Sequence, residues 1–383
     1  MRRIAVLAAL LIVATAAGAS AAVRTGPAGL AFYKPPGHLA GKAHGGMIWF
    51  RRQRTGVLRP AARNELVLYR SIGADGKAIA VSGSVTVPGG RPPKGGWPIV
   101  TWAHGTTGIA DACAPTRTPL TYTDSYFRAW LKAGYAVVRT DYQGLGTPGT
   151  HLYLVGLEEG RSVLDIVRAA RQLEPGLGRR VIIAGHSQGG HAALWAAALA
   201  PKWTPELDVK GTVALAPASH IEAQAKLVST LNSPIGGLTG LAALIFRGAD
   251  SWQPSLHLTT LLTPTGAALY PQTLTKCIGA LGQAFGSVAP ANLFQTNADL
   301  TPVLTVLGKS DPEHLRIRTP LFVAQGTSDS TVFPQYTDQL VRQLTAKGAK
   351  VDYHHYPGIN HVGVAAASQT DALAWARAEI KKH

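Results

Sequence analysis

The stretch VIIAGHSQGGHAAL, residues 181–194, decides the fold expected for this chain. Its apolar start, Val181–Ala184, predicts a buried strand, and the Ala-rich run Ser187–Leu199 predicts a helix. A G-x-S-x-G sequence joins the two. In that context it forms a sharp strand-to-helix turn that lifts the serine hydroxyl above the sheet edge. Ser187 is therefore the candidate nucleophile.

Two glycines make such a turn possible. Gly185 and Gly189 carry no Cβ atom, so the strand and the helix can approach each other closely around the serine. The N–H groups at the start of the helix also favour negative charge next to Ser187. A glycine-rich structural turn is the alternative, and the flanking strand and helix favour the catalytic interpretation.

The same alternation of predicted strands and helices continues on both sides of this stretch. Apolar runs that alternate with amphipathic helices indicate an α/β fold, a mostly parallel sheet with helices on both faces. Together with the serine turn, this pattern predicts the α/β-hydrolase fold. We expect strands at Glu65–Ile72, Ala78–Val87, Pro98–Ala103, Tyr135–Thr140, Val181–Ala184, Val209–Ala214, Pro320–Ala324 and Val351–Tyr356. The helices are expected at Asp124–Ala133, Glu158–Leu173, Ser187–Leu199, Pro334–Ala346 and Val364–Ile380.

Four segments follow from this pattern. Residues 23–218 form the first part of the core and begin with an extended N-terminal arm. Residues 219–311 lack the strand pattern and are expected to be a mainly helical lid or cap insertion. Residues 312–383 restore the alternation and complete the core.

The fourth segment, residues 1–22, is predicted to be a signal peptide. Arg2 and Arg3 precede the apolar run Ile4–Ala17, and Ala19–Ala21 offers a small-residue cleavage site. The alternative is a membrane anchor, but this run is short for a bilayer span. We therefore expect a secreted or periplasmic protein without a stable membrane span.

A serine nucleophile needs a base that a third group orients. In the predicted fold the chain order is serine, carboxylate, histidine, each on a loop that follows a strand. Asp329 follows the strand Pro320–Ala324, and His361 follows Val351–Tyr356, so both complete the predicted triad. Other candidates lie within a strand, on a helix or before a strand: His354, His355, Asp338 and Asp311.

The negative charge that develops during acyl transfer needs hydrogen-bond donors. One expected donor is the backbone N–H of Gln188, the residue after the nucleophile. The other should come from the loop after the strand Pro98–Ala103, where Thr106 is the preferred donor and Gly105 the alternative. A two-step acyl transfer at such a site requires no metal and no organic cofactor.

Charge and cysteine content restrict the partners and metal sites that we expect for this chain. The formal net charge is +16, but the basic residues are scattered and no nucleic-acid-binding motif accompanies them, so we expect no nucleic-acid partner. Cys113 and Cys277 are the two cysteines. They form either one disulfide or two buried thiols, and two cysteines alone make no zinc site.

Several separated motifs resemble the secretory lipase family of the α/β-hydrolase superfamily. They occur in order along the chain: FYKPP at 32–36, WAHGTTG at 102–108, DACAP at 111–115, DYQGLGTPG at 141–149 and GHSQGG at 185–190. The resemblance implies a helical lid inserted between sheet strands. It also implies a disulfide between Cys113 and Cys277.

The implied activity is hydrolysis of acylglycerols or related carboxylic esters by Ser187, Asp329 and His361. The apolar runs 235–246 and 258–262 of the insertion either bind an acyl chain and contact a lipid–water interface transiently, or pack on the main sheet. Lipase and esterase therefore both remain open. A serine peptidase, an acyltransferase and a non-catalytic binding protein on the same scaffold are the further alternatives.

Overall fold

A nine-stranded sheet organises the protein. The computed structural model describes residues 23–382 except 38, 40–42 and 55, so the predicted signal peptide lies outside the described residues. In sequence order the strands are β1 Met47–Arg52, β2 Arg63–Ile72, β3 Ala78–Val87, β4 Trp97–Ala103, β5 Ala136–Thr140, β6 Leu177–His186, β7 Asp208–Leu215, β8 Leu321–Gly326 and β9 Val351–Tyr356. Their spatial order is β1-β2-β3-β5-β4-β6-β7-β8-β9.

The sheet is mixed. Strands β1, β2, β3 and β5 pair antiparallel, whereas every pair from β5 through β4 to β9 is parallel. Six parallel strands therefore direct their carboxyl ends to one edge, where α/β proteins place their ligands. The predicted mostly parallel α/β sheet is confirmed.

Helices cover both faces. In sequence order the α-helices are α1 Asp124–Lys132, α2 Gly156–Leu173, α3 Gln188–Trp203, α4 Ile221–Ser229, α5 Gly237–Trp252, α6 Pro264–Leu269, α7 Ile278–Phe285, α8 Thr301–Gly308, α9 Pro334–Ala346, α10 Gly363–Ala367 and α11 Gln369–Glu379. Helices α2, α3 and α9 pack on one face of the sheet, and α1, α10 and α11 pack on the other.

Strand β6 shows why both faces must be covered. Val181 and Ile183 belong to the core on the α2–α3–α9 side, whereas Ile182 and Ala184 belong to the core on the opposite side. Successive side chains of a strand point to opposite faces, so an uninterrupted apolar run needs cover on both. Full burial of each Val or Ile side chain contributes about 1.5–3 kcal/mol.

Helices α4 to α8 lie between β7 and β8 and build a separate apolar cluster. Leu244, Phe246 and Phe285 are fully buried in it. The cluster reaches the sheet domain through Ile109 and Tyr153. We refer to residues 219–311 as the helical insertion.

Some expectations about the elements were wrong. The arm contains a strand, β1, because Ile48 and Trp49 bury apolar side chains against the sheet edge. The expected last helix, Val364–Ile380, is two helices that meet at Ser368, whose hydroxyl donates to the carbonyl of Val364. Such side-chain bonds compete with the regular helical pattern.

Candidate active site

The turn after β6 holds Ser187 in a conformation that few residues adopt. Its φ is 60° and its ψ is −119°, outside the regions that L-residues prefer. A Cβ atom at Gly185 would lie 2.0 Å from the carbonyl oxygen of Gly189, and one at Gly189 would lie 1.9 Å from that of Ala103. Both positions therefore require glycine, and the turn keeps the hydroxyl of Ser187 at the carboxyl edge of the sheet.

The structure brings the three predicted triad side chains together. The Oγ atom of Ser187 lies 2.8 Å from Nε2 of His361, and Nδ1 of His361 lies 2.7 Å from Oδ2 of Asp329. The three residues follow strands β6, β9 and β8. Since the carboxylate only accepts, Nδ1–H donates to Asp329, and Nε2 is left to accept the serine proton.

Asp329 is held as a carboxylate by the groups around it. Its Oδ1 accepts the backbone N–H groups of Thr331 and Val332 at 2.8 and 2.9 Å. The side-chain amide of Gln325 donates to Oδ2 at 3.1 Å. Although burial raises the pKa of Asp329, these backbone bonds and the contact with His361 outweigh it and hold the pKa below its usual range.

The competing candidates lie away from this cluster. Nε2 of His355 is 3.0 Å from Asp338, and Nε2 of His354 is 2.8 Å from Asp352. All four side chains are partly or largely solvent-exposed.

The predicted donor residues lie beside the serine turn. Gln188 is the first residue of α3, so its backbone N–H has no acceptor within the helix. Ala103 of β4 pairs with Gly185, which brings the loop after β4 to the serine turn. A Cβ atom at Gly105 would lie 3.3 Å from the carbonyl oxygen of His186, and the hydroxyl of Thr106 lies 2.7 Å from that of Tyr153.

His186 is a site residue that sequence reasoning missed. Its Nε2–H donates to the backbone carbonyl of His361 at 2.8 Å, and the hydroxyl of Tyr122 donates to its Nδ1 at 3.1 Å. Burial, with the neighbouring His361, lowers the pKa of His186 to about 3. The ring is therefore neutral and links the serine turn to the histidine loop. Its position next to Ser187 was the available signal.

A disulfide joins the site to the helical insertion. Cys113 and Cys277 are bonded, which confirms the pairing that the family resemblance implied. The backbone of Gly108 also pairs with Cys277, and Ile278 N–H donates to the carbonyl of Thr107 at 2.9 Å. The insertion is thus fastened to the loop that carries Thr106.

One group of possible metal ligands stands out in the described part of the chain. Ligand atoms of Asp311, Glu313 and His314 lie within 4.8 Å of one another. The carboxylates of Asp311 and Glu313 accept backbone N–H groups at the start of α4, from Ile221 and His220. This arrangement holds the start of α4 against the segment that follows α8.

The comparison with protein families decides the assignment. The model of the secretory lipase family matches residues 113–382, which include the three predicted triad residues. The chain belongs to the secretory lipase family. Membership makes the protein an ester hydrolase of the lipase and carboxylesterase class, and the predicted resemblance is confirmed.

Relatives that match over most of this chain support the same family. Lipase A of Moesziomyces aphidis is 26% identical over 365 residues, which cover 86% of this chain and 75% of that protein. A probable inactive lipase of Mycobacterium tuberculosis is also 26% identical, over 376 residues, 90% of this chain and 80% of that protein. A relative named as inactive is thus as similar in sequence as Lipase A, so overall similarity does not assign the roles of individual residues.

A solved structure shows the same fold. Candida antarctica lipase A in its closed state superimposes with a TM-score of 0.76 at 20% identity, covering 91% of this chain and 85% of that chain. The predicted α/β-hydrolase fold is therefore confirmed. Among the described residues of this secretory lipase, none of the helices combines the length and apolar character that a bilayer span requires.

Proposed function

We propose that this protein hydrolyses apolar carboxylic esters through a covalent acyl-enzyme on Ser187. The observation that carries the proposal is the unbroken chain of hydrogen bonds from Ser187 through His361 to Asp329, at 2.8 and 2.7 Å. Nucleophile, base and orienting carboxylate in this geometry are what acyl transfer needs.

The first half-reaction forms the acyl-enzyme. Nε2 of His361 takes the hydroxyl proton while Ser187 Oγ attacks the ester carbonyl carbon and its C=O π electrons move to the oxygen. The backbone N–H groups of Gln188 and Thr106, or of Gly105 in place of Thr106, stabilise that oxyanion. When the tetrahedral intermediate collapses, the C–O bond to the alcohol breaks and His361 protonates the leaving oxygen.

The second half-reaction repeats these steps with water. His361 removes a proton from water, the hydroxide attacks the acyl carbon, and the Ser187–acyl bond breaks as His361 returns the proton to Ser187 Oγ. The carboxylic acid leaves. No step requires a metal ion or an organic cofactor.

An apolar cavity supports an acyl chain as the acid part of the substrate. The cavity has a volume of about 140 Å³ and lies between α4, α5 and the loop after β8. Leu231, Leu241 and Ile245 line it from the helical insertion, and Thr331 and Phe333 from the Asp329 loop. A lining of this kind favours a hydrocarbon chain.

Exposed apolar side chains support transient contact with a lipid surface. Leu227 and Phe333 belong to the same cavity wall and remain 51% and 36% exposed, and Val362, next to His361, is 52% exposed. Exposed apolar groups near a cavity mouth are typical of ligand or membrane contact. We therefore propose that residues 219–311 act as a lid. The secretory family further supports export and removal of residues 1–22 as a signal peptide.

The test is hydrolysis of p-nitrophenyl esters with butanoyl, octanoyl and palmitoyl chains, with and without emulsified lipid. We expect the Ser187→Ala variant to lose more than about a thousandfold in kcat. The buried Ser84 on β3 provides a matched control, since Ser84→Ala removes a hydroxyl three strands away from β6. Equal activity of Ser187→Ala and Ser84→Ala would contradict the proposal. A preference for the longer chains in emulsion would assign lipase activity, and one for soluble short esters would assign esterase activity.

A further inference from the structure

A second carboxylate lies behind the serine turn. Glu159, in the first turn of α2, has a fully buried side chain. Its Oε1 accepts the side-chain amide of Gln188 at 2.7 Å and the backbone N–H of Leu154 at 3.0 Å. Nδ1 of His191 lies 3.2 Å from Oε2. A buried carboxylate is tolerated only where donors surround it. Oε1 of Glu159 accepts two N–H groups, and Oε2 faces the His191 ring, whose Nε2 lies 2.8 Å from the carbonyl oxygen of Ser310.

The first of these contacts fixes Gln188, whose backbone N–H is a proposed oxyanion donor. One amide hydrogen of its side chain points to Glu159, and the other points to Nε2 of His151 at 2.9 Å. Nδ1–H of His151 donates to the carbonyl of Gln143, so Nε2 is free to accept. Burial lowers the pKa of His151 to about 4, which keeps this ring neutral. Both amide hydrogens of Gln188 are thus engaged.

The second contact leads to the other proposed donor residue. Leu154 has a φ of 58°, a left-handed conformation that is costly for a residue with a branched side chain. Its N–H bond to Glu159 holds the turn in this conformation. The adjacent Tyr153 is buried, and its hydroxyl meets that of Thr106 at 2.7 Å. The position of Thr106 therefore depends on the same carboxylate.

We propose that Glu159 is a positioning residue that holds both sides of the oxyanion hole, Gln188 directly and Thr106 through Leu154 and Tyr153. The inference rests on the proposed function, because it presumes that an oxyanion forms at Ser187. Glu159 itself does not touch the reacting atoms. A glutamine at this position keeps an acceptor oxygen for Gln188 and Leu154 but removes the negative charge, so these hydrogen bonds become weaker than the charge-assisted bonds to a carboxylate.

The test compares Glu159→Gln with a matched control on the same helix. Asp165 is equally buried, and its carboxylate accepts the hydroxyl of Ser71 on β2 and Nε1–H of Trp203 at the end of α3 and lies 2.6 Å from Nδ1 of His44. For Glu159→Gln we expect kcat to fall by at least about tenfold with KM nearly unchanged, because displaced donors weaken only transition-state binding. The inhibition constant of an alkyl trifluoromethyl ketone, which forms a tetrahedral adduct with serine, should rise by a similar factor. Asp165→Asn should lower the melting temperature without changing either quantity.

Two further variants test the two connections from Glu159, to Gln188 and to Thr106, separately. They also decide the question if Glu159→Gln does not fold. Gln188→Met keeps the backbone N–H but removes the amide, and Tyr153→Phe removes the hydroxyl that meets Thr106. Each should lower kcat. In the double variant the two fold losses in kcat should multiply, because the two connections share no residue beyond Glu159. Adding Gln188→Met to Glu159→Gln should cause little further loss. Full kcat and unchanged ketone inhibition in Gln188→Met and Tyr153→Phe would overturn the proposal.

The Ser187→Ala variant separates the two possible failures. If it is inactive while Glu159→Gln matches Asp165→Asn in kcat and ketone inhibition, the positioning role alone is wrong. If Ser187→Ala retains activity in the same assay, the proposed function is wrong as well.

Discussion

The imidazole ring of His186 lies beside that of His361, with 4.7 Å between the ring centroids, and its Nε2–H donates to the backbone carbonyl of His361. His186 precedes the candidate nucleophile, whereas His361 lies on a loop three strands away in the sheet order. This contact links the serine turn after β6 to the loop after β9, and these two strands are not neighbours in the sheet.

Replacing His186 should make the position of the proposed base, His361, less well defined. His186→Phe keeps a ring but leaves the His361 carbonyl and the Tyr122 hydroxyl without their partner. We expect kcat to fall by at least about tenfold and the free energy of unfolding to fall by about 1–3 kcal/mol. Tyr122→Phe, which retains the His186–His361 bond, should keep most of the activity. Equal kcat values for the two variants and wild type, measured with one soluble ester, would exclude a role of His186 in positioning His361.

Asp329→Asn should preserve the fold and abolish most of the activity. An amide in place of the Oδ2 carboxylate oxygen cannot hold the His361 tautomer that donates to Asp329, so kcat should fall by about a thousandfold to ten-thousandfold. Asp338→Asn is the matched control, since Asp338 pairs with His355 instead. Comparable kcat values for the two variants would exclude Asp329 as the third member.

The disulfide should contribute to both stability and activity. Cys113 and Cys277 are 164 residues apart in sequence, and removal of a disulfide that closes a long loop costs about 2–5 kcal/mol. The Cys113→Ser/Cys277→Ser variant should therefore melt at a lower temperature. At temperatures below the melting range its kcat should also be lower than that of wild type, because Thr107 and Gly108 lose the covalent link next to their backbone contacts with the insertion. An unchanged melting temperature would show that these backbone contacts suffice.

Glu158 should make stability depend on pH. Its side chain is fully buried, burial raises its pKa to about 8, and among the described residues Oε2 finds no hydrogen-bond partner. Between the ordinary glutamate pKa of 4.5 and about 8, the folded state keeps a proton that the unfolded state has released. The free energy of unfolding should thus fall as the pH rises through this window, by at most about 1.4 kcal/mol per pH unit.

Urea unfolding at pH 5 and pH 8 measures this dependence. The Glu158→Gln variant, which cannot ionise, should show a smaller loss of stability between the two pH values than wild type. Identical losses in both proteins would mean that the Glu158 carboxyl ionises in the folded state as readily as in the unfolded chain.

Much of the fold was predictable because its signals are local. The apolar run of β6 and the Ala-rich α3 identify their own structure, and the serine turn between them is encoded within five residues. Asp329 and His361 could be proposed because each follows a strand whose pattern is equally plain. Strand β1 was missed because the Gly-, Pro- and Arg-rich arm around it obscured a short apolar run, residues 47–50.

The supporting contacts could not be predicted in the same way. Glu159 and Gln188 are 29 residues apart, and His186 and His361 are 175 residues apart. From the sequence alone, a carboxylate on an amphipathic helix is predicted to be a surface residue, because its buried partners are not known. Only the packing of α2 against α3 shows that Glu159 points to the serine turn.

The most direct test of the account is the site and rate of covalent labelling by an alkyl fluorophosphonate, followed by peptide mass spectrometry. We expect one adduct on Ser187 of the wild-type protein and at least about a hundredfold slower labelling in His361→Ala, because only a serine activated by its base reacts quickly. The absence of an adduct, an adduct at another residue, or labelling of His361→Ala at the wild-type rate would contradict the proposed triad.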